Sequence, residues 1–370
     1  MRRGLTVVAL ALGLLVVLRM TVLGSEDDEG GAQLGGRPVS REASAAIDSF
    51  FARYVQDDGR VVRHDEGGDT VSEGQAYALL LAAAEGDRAR FERVWRWTKA
   101  NLQRPDGLLS WKWREGKVVD NSPATDADLD TARALVIAGR TLPAPELIEE
   151  GNRMGKAVLD HETMELGPDD DLVLLAGPWA KEDRVVNPSY VAPCTYEELG
   201  AASPDARWQR LTTSGYAMAE SLMADGRLPS DWATIEAGGG ELRPSGPPDD
   251  PGSPPRYGLD AARLPIRLAE ACDDRGRPLA AEFWPRLRGL DGGGAAIAYT
   301  LDGKRLEGGD NPLGLIASAS AATAAGEKDE AQRLLSDAVR LEERHSTYYG
   351  AAWLAMGQAL LGPAQGGERR

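Results

Sequence analysis

The chain has 370 residues, 42% of them hydrophobic, which is ample for a sizeable core, and its 58 acidic against 42 basic residues leave a net charge of −16. Such a field repels polyanions unless a basic stripe offsets it, and here the Lys and Arg residues are interspersed with acids, so nucleic acid is excluded as a partner. The three histidines (His64, His161 and His345) lie far apart, and two cysteines make no metal cluster, so neither metal nor cofactor is expected.

Along the chain, Met1-Arg2-Arg3 precedes an apolar run from Gly4 to Gly24. This is the pattern of an export signal, and residues 1–24 are read as a signal peptide or a membrane anchor; the run is nearly long enough to span a bilayer. Residues 25–42 are acidic and Gly-rich, a flexible tether. Residues 43–362 read as one domain of successive amphipathic helices, and 363–370 as a disordered tail. Trp208, Leu211, Gly215, Met218 and Leu222 recur at three- and four-residue steps, as do Ala331, Leu334, Leu335, Ala338 and Leu341. Comparable stripes cover roughly 43–56, 73–84, 88–102, 126–139, 144–159, 190–200, 259–273, 278–289, 312–325 and 346–361. The fold class is therefore all-α, with about twelve helices. Leu109 to Val119 is the best hairpin candidate, turning at Glu115-Gly116. A dozen helices build either a solenoid or a closed double ring, and the absence of a fixed-period repeat speaks against the solenoid. Cys194 and Cys272 form either one disulfide or two buried thiols. The Pro- and Gly-rich stretch 237–257 reads as a rim loop leading into the segment that carries Asp260.

No GxSxG elbow, Walker loop or dinucleotide fingerprint is present, and the Asp126-Ala-Asp128-Leu-Asp130 run lacks the Gly and final acid of a calcium loop. Carboxylate chemistry remains. In Ser72-Glu73-Gly74-Gln75, Ser72 and Gln75 have capping-box spacing, and Glu73 taken alone is explained as a helix-dipole complement. In Ala124-Thr125-Asp126-Ala127-Asp128-Leu129-Asp130, Thr125 suits an N-cap. Three acids at alternate positions, however, exceed what capping requires. Asp260 and Arg263 sit one turn apart, and by themselves make an ordinary surface ion pair.

Together these segments resemble glycoside hydrolase family 8, whose members include endoglucanases, the cellulase of bacterial cellulose synthesis, chitosanases and xylanases. The resemblance runs from about Ser44 to Leu361. It is carried by SEGQAYALLLAAAEGDRARFERVWRWTKANL from Ser72, GLLSWKW from Gly107, ATDADLDTARAL from Ala124, NPSYVAP from Asn187 and LDAARLP from Leu259, with Tyr348-Tyr349 as a C-terminal aromatic pair. It implies an (α/α)6 barrel with an open substrate cleft, and hydrolysis with inversion. Glu73 matches the general acid, Asp260 the general base, and Asp126 the acid that holds and distorts the sugar. Trp111 matches a ring that stacks on a sugar, Arg263 the arginine steadying the base, and Tyr190 a residue lining the cleft. Three departures bear on local geometry and sugar preference: Leu259 stands where the family has Tyr, Ile266 where it has an aromatic residue, and Ala76 where it has Gly.

The resulting expectation is an exported, inverting endo-β-1,4-glucanase acting on a β-1,4-linked polysaccharide, secreted or held at the membrane, and serving polysaccharide synthesis or export. Chitosanase or xylanase on the same fold is the alternative. A non-catalytic glycan-binding subunit of an export complex is the alternative from another class. Glu73 must keep its proton at a helix N-terminus, which requires apolar surroundings and the charge of Asp126 to outweigh the dipole.

Overall fold

The structure is a computed structural model that describes residues 39–361, apart from 143, 167–170, 237–239 and 271. Segment 1–24, most of the tether and the tail 363–370 lie outside the described residues. Thirteen α-helices are found among the described residues: α1 (Arg41–Tyr54), α2 (Ser72–Glu85), α3 (Arg88–Asn101), α4 (Thr125–Thr141), α5 (Pro145–His161), α6 (Pro193–Ala202), α7 (Ala206–Leu222), α8 (Arg263–Glu270), α9 (Gly276–Ala281), α10 (Trp284–Leu287), α11 (Pro312–Ala324), α12 (Lys328–Arg344) and α13 (Tyr348–Leu361).

They are of two kinds. α2, α4, α8, α11 and α13 are buried over most of their length and α6 over half of it, whereas α1, α3, α5, α7 and α12 bury one stripe and expose their charged side. A helix without a polar face has to be enclosed. The enclosed helices touch in the order α2, α4, α6, α8, α11, α13, and α13 returns to α2, closing a ring. Each is backed by a partner outside it: α3 on α2, α5 on α4, α7 on α6, α9 on α8, α12 on α11 and α1 on α13. This is the (α/α)6 double ring. Because an outer helix returns the chain between successive inner ones, the inner helices run parallel and present all six N-termini at one end.

Several local expectations are corrected. α1 begins at Arg41, inside the segment read as tether, because Ser40 caps it by accepting from the Ala43 amide at 3.1 Å. Ser72 and Gln75 do not form a capping box, since Gln75 is drawn away: its Oε1 accepts from Val61 N at 2.6 Å and its Nε2 donates to Thr98 Oγ1 at 2.7 Å. Ala124, not Thr125, is the N-cap of α4. The single helix expected over 278–289 is split into α9 and α10, as Pro285 lacks the N–H that would continue the ladder. α8 starts at Arg263 rather than 259, leaving Asp260 in the turn before it.

Short strands decorate the loops. Lys112–Arg114 and Lys117–Asp120 form the expected hairpin, with Glu115 and Gly116 at φ 51° and 85°, the turn that suits strand twist. Thr70–Val71 adds to its edge, pairing Thr70 with Trp113. Val185–Val186, Trp232–Ile235 and Leu242–Ser245 make a second antiparallel sheet, so part of the expected rim loop is a strand. Thr163–Leu166 pairs with Asp171–Leu174, and Tyr257–Gly258 with Ala298–Tyr299. Runs of two to four residues are too short for an alternation signal. Cys194 of α6 and Cys272 after α8 are disulfide-bonded, their Cα atoms 5.0 Å apart. Among the described residues, no helix is long and apolar enough to cross a membrane.

Candidate active site

The N-terminal end of the inner ring gathers acids from three segments distant in sequence. Glu73 is the second residue of α2, Asp126 the second of α4, and Asp260 lies in the turn entering α8. Loop contacts fix each entry. The Ser72 amide, free at the start of α2, donates to the Trp111 carbonyl at 2.9 Å, which ties the segment of Trp111 to that of Glu73. The Lys112 ammonium lies 5.2 Å from the centre of the Trp111 ring. At α4, the Thr125 amide reaches Ala176 O at 3.3 Å and the Ala127 amide reaches Asp126 Oδ1 at 2.9 Å.

Arg263, the first residue of α8 and 2% exposed, is the hub. Its Nη1 donates to Asp126 Oδ2 at 2.6 Å and lies 3.4 Å from Glu73 Oε1, while Nη2 donates to Asp260 Oδ1 at 2.7 Å. Nη1 also reaches the Tyr77 hydroxyl at 3.3 Å. The guanidinium carbon sits 5.3 Å from the centre of the Tyr190 ring. Tyr190 is itself largely buried, its ring against that guanidinium. Since Glu73 and Asp260 contact opposite ends of one guanidinium, their nearest oxygens are kept below the upper end of the roughly 6.5–9.5 Å carboxyl separation of inverting glycosidases.

The carboxylates are electrostatically unlike. Glu73 is pushed up to about 8, by burial first and by the charge of Asp126 second, with Arg263 opposing. Asp260 is also raised, by burial first and by Asp126; Arg263 and Asn187 resist the rise by favouring the charged form. Arg263 contacts Asp260 more closely than Glu73, so the two acids differ in how well their anions are supported. The carboxyls of Glu73 and Asp260 stay partly open to solvent, their side chains 20% and 30% exposed. They line a cleft of about 410 Å³ together with Asp231, Arg256, Tyr348 and Tyr349.

Three residues of the site were not singled out from sequence. Asn187, within the NPSYVAP segment, accepts from Ser189 N and Oγ through Oδ1 and lies close enough to Asp260 to favour its charged form. Asp231 grips the turn carrying Asp260. Trp179 is 43% exposed, and its indole N–H donates to Pro123 O at 3.0 Å, three residues before Asp126. The first two act on backbone and neighbours rather than at a recognisable spacing; an exposed Trp beside a loop proline carries no signal until the fold brings it against the segment entering α4. Among the described residues, the grouping with metal-ligand proximity is Cys194, Glu198 and Cys272, where the disulfide has consumed both thiols.

Comparison with known proteins places these observations in a family. Residues 38–245 match the sequence pattern of glycosyl hydrolases family 8. A probable endoglucanase of Novacetimonas hansenii is 35% identical over 64% of this chain and 72% of its own. An endoglucanase of Cellulomonas uda is 26% identical over 61% of this chain and 63% of its own. Among solved structures, the endo-β-1,4-glucanase CMCax of Acetobacter xylinum superimposes with a TM-score of 0.70 at 27% identity, covering 86% of this chain and 97% of that one.

Proposed function

Because the chain belongs to glycosyl hydrolase family 8, we propose that it is an endo-acting β-1,4-glucanase that inverts at the anomeric carbon, with Glu73 as general acid and Asp260 as general base. One observation carries the residue roles: three carboxylates from separate segments meet on the single guanidinium of Arg263 in an open cleft, and one of them is held protonated up to about pH 8.

Glu73 gives its proton to the glycosidic oxygen as the bond from that oxygen to the anomeric carbon breaks. A water on the opposite face adds its oxygen to that carbon and yields its proton to Asp260. The cycle leaves Glu73 ionised and Asp260 protonated, and exchange with solvent through their exposed edges resets both. Arg263, always cationic, keeps Asp260 and Asp126 in place as anions without neutralising Glu73, whose contact with it is long at 3.4 Å. Asp126 faces the sugar astride the cut. Trp111 and the exposed indole of Trp179 offer rings on which flanking sugars stack. The disulfide and the Arg-led apolar N-terminal segment support action outside the cytoplasmic membrane.

The test is reducing-end release from carboxymethylcellulose, chitosan and xylan, with the product anomer followed by NMR. Carboxymethylcellulose is expected to be cut, with the α-anomer appearing first. Glu73→Gln and Asp260→Asn are each expected to lower kcat by about 100-fold or more, the scale of general acid–base contributions. Activity confined to chitosan or xylan would overturn the glucanase reading, near-normal turnover in Glu73→Gln would remove the acid assignment, and binding without cleavage across pH 4–8 would make the protein a glycan-binding subunit.

A further inference from the structure

Asp231 lies at the entry to the strand Trp232–Ile235, in a segment that sequence motifs did not single out. Its backbone amide donates to Arg256 O at 2.8 Å, which fixes the segment beside the approach to Asp260. Its carboxylate, on a residue only 4% exposed, then reaches over that approach. Oδ1 accepts from Gly258 N at 2.8 Å and from Ala261 N at 2.9 Å, the two amides that bracket Leu259 and Asp260. The turn closes with Ala262 N on Gly258 O at 3.0 Å and Arg263 N on Asp260 O at 3.0 Å. The fit is tight: a Cβ on Gly258 would lie 2.4 Å from Asp231 Oδ2, so any side chain there would displace the carboxylate. Oδ2 keeps one charged partner, Arg256 Nε at 3.3 Å, whose side chain is largely exposed.

We propose that Asp231 is the positioning residue of the catalytic base: through Oδ1 it sets the turn that aims Asp260 into the cleft. The inference rests on the reading of Asp260 as the base. Two anions held on either side of one short turn repel each other, and each resists ionisation of the other. Asp231 is accordingly raised to about 6, by burial first and by Asp260 second, with the Gly258 and Ala261 amides and Arg256 opposing. Facing Asp260 are Arg263, Asp126, Asn187 and Arg256, together with Glu73, Tyr190 and Tyr349. An amide in place of Asp231 could still accept both backbone N–H groups through its oxygen, but would carry no charge. Orientation and charge can therefore be separated by experiment.

Asp231→Asn and Asp231→Ala are compared with Asp260→Asn on a soluble β-1,4-glucan, reading kcat, KM and the pH profile of kcat/KM. Asp231→Asn is expected to keep most of its turnover, because an amide oxygen can still accept from Gly258 N and Ala261 N. Asp231→Ala is expected to lose kcat by about 100-fold, the scale of a misplaced catalytic group, with KM changed by less than about threefold. If Asp231→Ala does not fold, as judged by its melting curve, Asp231→Asn alone decides. A loss of kcat of about 100-fold in Asp231→Asn, or wild-type kcat in Asp231→Ala, would overturn the inference while an inactive Asp260→Asn left the base assignment standing. Full turnover in Asp260→Asn would remove both.

Discussion

At the scale of single residues, the question is how Glu73 keeps a proton where a helix N-terminus favours the anion. The terminus contributes about 0.3–1 kcal/mol toward ionisation, less than the ~1.4 kcal/mol that one pKa unit represents. Glu73 is displaced from 4.5 to about 8, so burial and the adjacent Asp126 prevail by a wide margin. This sets the alkaline limb of kcat/KM, where Glu73 loses its proton. Asp126→Asn removes the second cause and also leaves the guanidinium of Arg263 with one anion fewer to neutralise; both changes lower the pKa of Glu73. The alkaline limb of Asp126→Asn should therefore fall to lower pH than in the parent, whatever happens to its kcat, and an unmoved limb would show that burial alone holds the proton. The sequence makes the three acids legible only jointly. Glu73 by itself is indistinguishable from a dipole complement, and Asp260 with Arg263 from a surface pair. Asp231 has no signal at all, because its partners are backbone amides 27 and 30 residues away.

At the scale of elements, the outer helices were readable because each carries one apolar stripe, and the enclosed ones because length and apolarity suffice without a stripe. Their ends were less readable, since tertiary partners recruited the residues that would have capped them, as at Gln75. The relation between α4 and α8 was invisible. Asp126 pairs with Arg263, Asp130 with Arg267 and Arg133 with Glu270, each pair 137 residues apart, so the two helices are joined rung by rung through the buried interior, with α6 standing between them in the ring. α6 supplies Glu198, which takes Arg133 Nε at 2.7 Å, and Cys194, which binds Cys272. Buried ion pairs of this kind are weak contributors to stability but strict ones to register, because a lone survivor is costly. The top rung is Arg263 itself, so the ladder positions the hub of the site. The disulfide staples α6 to the segment leaving α8, across a separation of 78 residues. Its reduction should lower unfolding stability by about 2–4 kcal/mol, read as a drop in the urea midpoint with and without reductant. Identical midpoints would mean that packing and the ladder already hold α6 against α8.

At the scale of the whole molecule, the open end of the barrel carries more buried acid than its cations neutralise. Besides Glu73 and Asp231, the fully buried Glu162, at the end of α5, lies beside the fully buried Asp128 of α4. Among the described residues neither is in an ion pair, although Asp128 Oδ1 accepts from Leu109 N at 2.8 Å. Both are raised well above ordinary carboxylates, by burial first; for Glu162 the next cause is Asp128. A carboxyl whose folded pKa exceeds its unfolded value of roughly 4 binds its proton more tightly in the native state. Its contribution to stability is therefore whole below about pH 4 and is lost as pH rises toward the folded value. Four such groups at one end, in a chain of net charge −16, make the fold progressively less stable from mildly acid to mildly alkaline solution. Glu162→Gln keeps the shape and removes the titration. It should raise the thermal midpoint at pH 8 by several degrees and at pH 5 by much less, since at the lower pH the wild-type pair already holds its protons. Equal shifts at the two pH values would show that Glu162 is not the group whose ionisation the fold resists.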